Sequence, residues 1–436
     1  MQTWSWSRRI FPVATAALVT ASVLAGCGGA SSTGTVTLQF WSFNQPIQQQ
    51  VDIFNQTHSN IHVVYHTEPS GFGQYYPKIL AAERAGNAPD VALIEYQYVP
   101  TMVANNALVD ISKYGANDVK SQFDSAAWAL DSENGAQYGI PQDTGPVGLF
   151  YNQKIFAQAG ITTPPATWAD FAADAVKIHA LGPNYYITAF PPESTGWFQA
   201  LEWQAGAQWF TPNTAKQQWE VGINSATSLQ VANFWQDLLN KGLVSTTADF
   251  SGDWATGLDN GHIASWISAV WGQGTIPGDA KDQANNWQAA QMPQWTAGNK
   301  DTGMWGGSGI SVLNGTKHPK EATEFVEWYL TNSQSLKIGV DTIGWYPANL
   351  AARSTATTAP NAYYNNQVVD QIFVNENIVQ GWYFAPDLTS VTNLQGNDFD
   401  SAIANHSTLA AALNQLQSQV LADLTGNGIN AAAVGS

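Results

Sequence analysis

From Thr35 onward, strand-like and helix-like spacings of apolar residues alternate along the chain. Residues 35–40 alternate with period two, as in a half-buried strand, and apolar residues then recur at helical spacing after Pro46. The same order continues with a strand at Ile61–Tyr65, a helix over Tyr75–Arg84 and a strand at Val91–Ile94. Strands separated by helices predict an α/β fold around a parallel sheet. Ligands of such sheets bind at the carboxyl ends of the strands, which here carry Trp41 and Glu95.

Further along, the pattern predicts a crossover between two extended segments. Tyr138–Pro141 and Val147–Tyr151 are strand-like, and the turn-forming run 142–146 separates them. Thr167, followed three residues later by Asp170, matches a capping box and predicts a helix start. The other predicted elements are a helix over Thr227–Lys241, an extended segment at His262–Ser268, a strand at Ile310–Leu313, a helix around Phe325 and a C-terminal helix from Leu409 to Leu424.

The N-terminus has the order of an export signal. Arg8 and Arg9 precede an apolar run over Ile10–Leu24 that is too short and too quickly interrupted for a stable membrane span. We therefore predict a signal peptide over residues 1–26. The paired arginines leave the Sec and twin-arginine export routes both open.

The single cysteine follows this signal directly. Leu24–Cys27 resembles a bacterial lipobox, in which cleavage before the cysteine exposes it for acylation. We predict lipid attachment at Cys27 and a flexible, Gly- and Ser-rich tether over 27–34. The protein is then anchored to the cell membrane on its extracytoplasmic face. The remaining chain has no further cysteine, which excludes a disulfide framework.

Charge and aromatic content narrow the class of ligand. The 436 residues include 16 Lys and Arg against 33 Asp and Glu, a formal net charge of −17. A chain this acidic repels phosphate backbones, so we expect no nucleic-acid partner, and anionic substrates are disfavoured. The chain has 19 Trp, 15 Tyr and 18 Phe, more than a core alone requires. The excess indicates an aromatic binding surface.

Seven short motifs occur in an order that resembles one bacterial family. They are Thr35–Trp41, Ala85–Val91, Tyr138–Asp143, Leu149–Asn152, Ala159–Ile161, Asn260–Ala264 and Lys320–Ala322. Their order over the mature chain resembles the extracellular solute-binding proteins, family 1, of ABC importers, and in size the maltose-binding type. The chain departs from the family at His262, where a lysine is usual, and at Ser265 and Trp266, where smaller or apolar residues are usual.

The resemblance implies an α/β, two-lobed periplasmic-binding-protein fold with discontinuous lobes, hinge crossings and a C-terminal helical region. It places lobe 1 at about 35–143 and 268–311, lobe 2 at about 148–264 and 315–430, and the crossings near 143–147, Ile267 and Val312. It also implies a sugar or other small polar ligand between the lobes. The partners would be the membrane subunits of an ABC permease, and the receptor itself would be a monomer.

A sugar site needs aromatic plates for the C–H faces and polar groups for the hydroxyls. Tryptophans inside helical apolar patterns are predicted to lie in the core: Trp128, Trp168, Trp235 and Trp328. Aromatic residues in other contexts are candidates for the cleft: Trp41, Trp271, Trp305 and Trp345 beside turn-forming residues, Tyr346 next to Trp345, and as weaker candidates Trp197, Trp203, Trp254 and Trp382.

Three further residues are candidates for polar contacts. Asp143 lies in the predicted crossover, where it either accepts ligand hydroxyls or stabilises its own turn, and the resemblance favours the ligand role. Glu95 directly follows a buried strand, and Gly306, with Gly307, would let backbone N–H groups approach a ligand. No metal-binding or phosphate-binding motif is present, so we predict no metal and no cofactor.

The sequence as a whole favours a receptor that captures a neutral carbohydrate, most simply an oligosaccharide, and delivers it to a permease without catalysis. Two alternatives fit the same composition: an anchored glycoside hydrolase or non-transport carbohydrate-binding protein, and a receptor for a peptide or other non-sugar solute. A hydrolase would need two carboxylates about 5–10 Å apart, for which Glu95, Asp143, Glu193 and Asp253 are available.

Overall fold

The computed structural model describes residues 34–44, 47–69, 74–356, 358–374 and 376–435. The predicted signal peptide over 1–26 and the predicted lipid attachment at Cys27 lie outside the described residues. In the part of the chain that is described, no helix is both long and apolar enough to cross a membrane.

Strands and helices alternate along most of the described chain. The strands are β1 Val36–Ser42, β2 Ile61–Thr67, β3 Val91–Glu95, β4 Ser132–Glu133, β5 Ala136–Gln137, β6 Gly139–Pro141, β7 Val147–Asn152, β8 Phe210–Asn213, β9 Gln218–Val221, β10 Ser265–Ala269, β11 Trp287–Gln291, β12 Asp301–Thr302, β13 Ser308–Val312, β14 Asn377–Ile378 and β15 Ala431–Ala433. The helices are α1 Gln48–Thr57, α2 Tyr75–Ala85, α3 Val99–Ala104, α4 Ser125–Leu130, α5 Gln153–Gln158, α6 Trp168–His179, α7 Thr195–Gln204, α8 Ala226–Asn240, α9 Gly252–Asp259, α10 Gly272–Asp279, α11 Pro319–Thr331, α12 Ser333–Ile338, α13 Leu350–Ala356, α14 Asp370–Val374, α15 Leu388–Ala404 and α16 Leu409–Gly426.

The first sheet has the strand order β2-β1-β3-β13-β6. β1 pairs in parallel with both β2 and β3, as the alternating pattern predicts. β13 runs antiparallel to β3 and to β6, so the sheet is mixed rather than wholly parallel. Its buried face packs on α11, where the ring of Phe40 lies 5.5 Å from that of Phe325 and 5.7 Å from that of Tyr329.

A second sheet has the antiparallel order β10-β7-β11. Its central strand β7 is buried at every position, because neighbours cover both of its faces. Residues 142–146 connect β6 of the first sheet to β7 of the second, which confirms the predicted crossover. The predicted capping box of α6 is also confirmed, since the Thr167 side chain accepts from the Asp170 N–H and the Asp170 carboxylate accepts from the Thr167 N–H.

Strand pairing corrects two of the predicted lobe segments. β11 lies within the segment 268–311 assigned to lobe 1, yet it completes the second sheet by pairing with β7. α11 lies within the segment 315–430 assigned to lobe 2, yet its aromatic side chains cover the first sheet. Both elements belong to the other lobe because of contacts with residues far away in the chain. The spacing of apolar residues along the chain does not record such contacts. The remaining lobe boundaries stay a prediction.

Candidate functional site

Glu95 ends β3, at the edge of the first sheet where the parallel strands present their carboxyl ends. Its side chain is half-buried, and its Oε2 accepts a hydrogen bond of 2.9 Å from the Tyr76 hydroxyl, which in turn accepts from the Glu95 N–H at 3.0 Å. Burial raises the pKa of Glu95 to about 7, although the bond from Tyr76 opposes the shift. Glu95 is therefore a fixed acceptor that gains or loses its charge near neutral pH.

Asp143 lies beside Glu95, in the crossover between the two sheets. Its Oδ1 accepts hydrogen bonds from the Ser308 N–H at 2.9 Å and the Ser308 hydroxyl at 2.8 Å, and Ser308 is the register partner of Glu95. The Asp143 carbonyl accepts from the Tyr96 hydroxyl at 2.7 Å. Burial raises the pKa of Asp143 to about 6, while the bonds from Ser308 oppose the shift. The structure thus brings two of the predicted polar residues together.

Trp305, Gly306 and Gly307 lead directly into Ser308 and connect this polar group to the tryptophans. The Trp305 N–H donates to the Gly145 carbonyl at 2.9 Å, which ties this run to the crossover. Both glycines have positive φ, at +76° and +91°, a conformation that other residues rarely adopt. At Gly307 a Cβ atom would also lie 2.7 Å from the Tyr96 ring. Glycine is therefore required there for local geometry, whatever the ligand.

The half-buried Trp271 and Trp305 form the centre of an aromatic cluster. Their ring centroids are 4.9 Å apart, and the Trp271 Nε1–H donates to the Trp305 carbonyl at 3.0 Å. The buried ring of Trp266 lies edge-on to both, at 5.6 and 6.1 Å. Because Trp266 packs on both rings and is itself packed on the buried Trp254 at 4.9 Å, Trp271 and Trp305 are held as preformed plates.

Phe250 completes this aromatic surface and is absent from the candidates drawn from the sequence. It is 57% exposed, and its ring lies within 6.4 Å of those of Trp254, Trp266, Trp271 and Trp305. Its backbone has φ +62°, which is strained for a residue with a side chain. The ring partners of Phe250 lie on other elements, so the sequence gives little indication of its role. The only indication is an aromatic residue in the loop just before the helix cap at Ser251.

Asp249 precedes Phe250, and sequence reasoning also missed it. Both of its carboxylate oxygens are buried, with the Trp266 side chain as a neighbouring donor. Burial, and then the nearby charge of Glu193, raise the pKa of Asp249 to about 8. A carboxylate with one neighbouring donor keeps acceptor capacity, which a ligand hydroxyl that reached Asp249 would use.

The structure places Trp197 and Trp345 in the hydrophobic core, which corrects their assignment to the cleft. Trp197 is 1% exposed on α7, and its Nε1–H donates to the Ile267 carbonyl at 3.0 Å. Trp345 is 5% exposed and packs on Tyr329 at 5.8 Å. Tyr346 is also buried, and the guanidinium of Arg353 lies 5.0 Å from the centre of its ring. None of the three presents an open ring face.

Trp41 lies on the same sheet edge as Glu95 but is separate from the Trp271–Trp305 pair in its described contacts. Its carbonyl accepts from the Tyr75 hydroxyl at 3.0 Å, and the same hydroxyl lies 3.0 Å from the Leu93 carbonyl. The ammonium of Lys78 lies 4.4 Å from the centre of its half-buried ring. Lys78 also pairs with Glu68, so part of this ring already serves a local cation–π contact.

The site therefore combines rigid aromatic plates with carboxyl groups whose positions the protein fixes. Plates bind the apolar face of a small polar molecule, and carboxylates accept hydrogen bonds from its hydroxyl or amino groups. An α/β body with such a surface at the strand ends defines a binding protein for a small polar solute.

Comparison with protein families agrees with this class. The model of the bacterial extracellular solute-binding protein family matches residues 36–335, and the chain belongs to that family. The solved structures that are similar to this chain are two-lobed periplasmic-binding proteins, and the chain shares their fold.

Individual relatives are similar at low identity but high coverage. The arabinooligosaccharide-binding protein of Halalkalibacterium halodurans is 23% identical over 308 residues, which cover 68% of this chain and 67% of the relative. The lactose-binding protein of Rhizobium radiobacter is 25% identical over 385 residues, covering 85% and 88%. Among solved structures, the galacto-N-biose-/lacto-N-biose I-binding protein of the ABC transporter from Bifidobacterium longum, in complex with lacto-N-biose, has 25% identity and a TM-score of 0.80, covering 92% and 99%.

Proposed function

We propose that this protein captures a neutral carbohydrate, most simply an oligosaccharide, and delivers it to the permease of an ABC importer. The observation that carries the proposal is the surface formed by Trp271, Trp305 and Phe250, with Glu95 and Asp143 connected to it through the Trp305–Ser308 run. A pyranose ring presents C–H faces to the plates while its hydroxyls donate to the carboxylates. Several plates accommodate more than one sugar unit.

The names of the relatives support the same class of ligand. Proteins that bind arabinooligosaccharide and lactose are among those similar in sequence, and proteins in complex with lacto-N-biose and β-1,6-galactobiose are among those similar in structure. These ligands differ in their sugar units and linkages, so they support the carbohydrate class and leave the particular sugar to experiment.

Binding without catalysis is supported by the way the carboxyl groups are held. Asp143 uses Oδ1 for two bonds from Ser308, and Glu95 accepts from Tyr76, so both are fixed acceptors. Asp253, one of the carboxylates available for hydrolysis, lies exposed in the first turn of α9. The relatives compared above are named for binding rather than for a reaction. The measurement described below separates a receptor from a hydrolase.

We further propose that two lobes close around the ligand. Lobe 1 is built on the first sheet and lobe 2 on the second, joined by the crossing near 143–147 and by the return between β11 of the second sheet and β13 of the first. Ligand favours closure if only the closed form lets both lobes contact it. Asp143 and Ser308 hydrogen-bond to each other where the chain enters and leaves the first sheet, so their bonds would stay formed during the motion.

The mature protein is proposed to act as a monomer tethered by lipid at Cys27 on the extracytoplasmic face of the membrane. The lipobox-like run before Cys27 and the small, polar residues after it support this arrangement. Membership of an extracellular solute-binding family supports the location. Mass spectrometry of the purified native protein tests the anchor: an acylated N-terminal Cys27 supports it, whereas a mature chain that starts elsewhere contradicts it.

Tryptophan fluorescence tests the ligand class. The purified protein is titrated with lactose, lacto-N-biose, β-1,6-galactobiose, arabinotriose and maltotriose, and each mixture is then analysed by chromatography. A saturable change with intact sugar is the expected result. Cleaved sugar would show that the protein is a hydrolase and not a receptor. Saturation by a peptide library but by no sugar would show that it is a peptide receptor.

A further inference from the structure

A groove of about 1030 Å³, which we call the outer groove, lies outside the site described above. One wall is formed by α4 and the β4–β5 hairpin, and the other by the β8–β9 hairpin together with Tyr383 and Asn430. None of its lining residues belongs to the aromatic surface around Trp305 or to the polar group around Asp143. Its volume is at the upper end of the roughly 300–1,000 Å³ typical of small-molecule sites.

The outer groove has its own aromatic plates. Trp219 and Tyr383 are both half-buried, and their ring centroids lie 6.4 Å apart at an interplanar angle of 75°. Trp219 is fixed by its position in β9, where it pairs with Pro212 on one side and Ala431 on the other. The buried ring of Trp128 closes the groove on the opposite wall. Rings held in this way offer apolar faces without a large ordering cost.

Amide groups and one carboxyl group surround these rings. The Asn430 Nδ2 donates to the Gln217 carbonyl at 2.9 Å, and the Asn430 Oδ1 accepts from Gln218 at 3.4 Å, which leaves donor and acceptor capacity on both side chains. Across the groove, the Glu133 Oε2 is buried and has no hydrogen-bond partner in the described part of the chain. A buried acceptor of this kind gains a partner when a hydroxyl enters.

Charge and backbone geometry exclude other classes of occupant. Lys120 and Glu133 are the only charged side chains in the lining, so the groove offers no cluster of positive charge for a phosphate or a polyanion. A peptide that added as a strand beside β8 would meet Pro212, which has no N–H to donate, and Phe210, which already pairs with Tyr383. Aromatic faces surrounded by neutral amides match a molecule with both C–H faces and hydroxyls.

We propose that the outer groove is a second carbohydrate-binding site, which takes a short neutral oligosaccharide stacked on Trp219. The site uses none of the residues of the sugar site in the proposed function, and its two walls belong to the two proposed lobes: α4 and the β4–β5 hairpin to lobe 1, the β8–β9 hairpin to lobe 2. Its inner end narrows to a small cavity bordered by Tyr96, whose hydroxyl holds the Asp143 carbonyl. Trp219 also borders that cavity, whereas Gln218 lines the outer groove alone, so substitutions at both positions are used to test the groove.

Isothermal titration calorimetry with lactose and with maltotriose tests the proposal on the wild-type protein and three variants. Trp219→Ala removes the outer plate, Trp219→Phe keeps an aromatic face, and the double variant Trp271→Ala/Trp305→Ala removes the plates of the first site. We expect two sites in the wild type for at least one of the sugars. Trp219→Ala should weaken one of them at least tenfold and leave the other within twofold, and Trp219→Phe should restore most of the lost affinity.

If Trp219→Ala does not fold, Gln218→Ala provides the same test with an expected weakening of threefold or more at one site. The double variant should lose the site that Trp219→Ala retains. Loss of all binding in the double variant, with no change in Trp219→Ala, would overturn the outer site and leave the proposed function intact. Loss of all binding in Trp219→Ala, with binding unchanged in the double variant, would support the outer site and overturn the sugar site of the proposed function. A crystal grown with saturating sugar whose outer groove holds none would also overturn the proposal.

Discussion

Replacing Trp305 by alanine removes one plate of the aromatic surface while leaving the backbone that supports it. The Trp271 Nε1–H donates to the carbonyl of residue 305, and an alanine carries the same carbonyl, so Trp271 keeps this bond. The N–H of residue 305 likewise keeps its bond to the Gly145 carbonyl. The variant therefore tests the ring itself rather than the local fold.

The size of the effect follows from the contacts of the ring. Trp305 is half-buried, with Trp271 at 4.9 Å and Trp266 at 6.1 Å, and aromatic pairs of this kind are worth roughly 0.5–1.5 kcal/mol each. We expect the free energy of unfolding to fall by about 2 kcal/mol. A ligand stacked on the open part of the ring loses a further contact, and truncating a central tryptophan typically costs about 2 kcal/mol of binding, or about 30-fold in Kd.

Trp328→Ala is the matched control. Trp328 is also half-buried, and its ring contacts Phe54 at 5.2 Å and His58 at 5.8 Å, away from the candidate site. Urea denaturation should show a similar loss of stability for both variants, whereas calorimetry with a sugar that binds the wild type should show weaker binding for Trp305→Ala alone. A folded Trp305→Ala protein with a Kd within twofold of wild type would refute the assignment, and equal weakening in both variants would attribute the loss to destabilisation.

Three further predictions concern the frame around the site. Gly307→Ala forces a side chain into φ +91° with its Cβ 2.7 Å from the Tyr96 ring, so urea denaturation should show a loss of about 3 kcal/mol. Burial raises the pKa of Glu95 from 4.5 to about 7, so between pH 4.5 and pH 7 the folded state binds more protons at Glu95 than the unfolded state does. The stability that comes from this proton is complete below pH 4.5 and is lost as the pH rises through 7. Glu95→Gln should reduce the stability difference between pH 5 and pH 8 by about 2 kcal/mol, and an unchanged difference would contradict the shift. Thr167→Ala removes one half of the capping box with Asp170 and should cost about 1 kcal/mol of stability without altering the Kd for sugar, as urea denaturation and calorimetry would show.

Local order along the chain was predictable because it depends on short-range chemistry. The alternation over 35–95 gave β1, β2, β3 and the helices between them, and Thr167 marked the start of α6 correctly. Strand partners were harder, because β13 and β11 join their sheets through contacts more than 100 residues apart in sequence. The periodicity of a strand records which faces are buried, but it does not record which neighbour covers them.

At the candidate site too, the sequence predicted the residue types but not which side chains would meet. Trp197 and Trp305 are the same residue type near small or turn-forming residues, yet one ring is 1% exposed inside α7 and the other is half-buried on the aromatic surface. Phe250 had little local signal, because its ring partners come from four other positions in the chain. Composition indicated that aromatic plates exist, but packing alone selected which rings remain accessible to a ligand.

The sequence by itself determined the family and the α/β class, and it carries the predictions of a leader and of a carbohydrate ligand, because these depend on residue types and on their spacing along the chain. Only the tertiary structure decided which side chains meet. The bonds from Ser308 to Asp143, the contact between Trp271 and Trp305, and the outer groove beside Trp219 all join residues that lie far apart in sequence or on separate elements. The physical reason is that hydrogen bonds and ring contacts act over a few ångströms in space, whatever their separation along the chain.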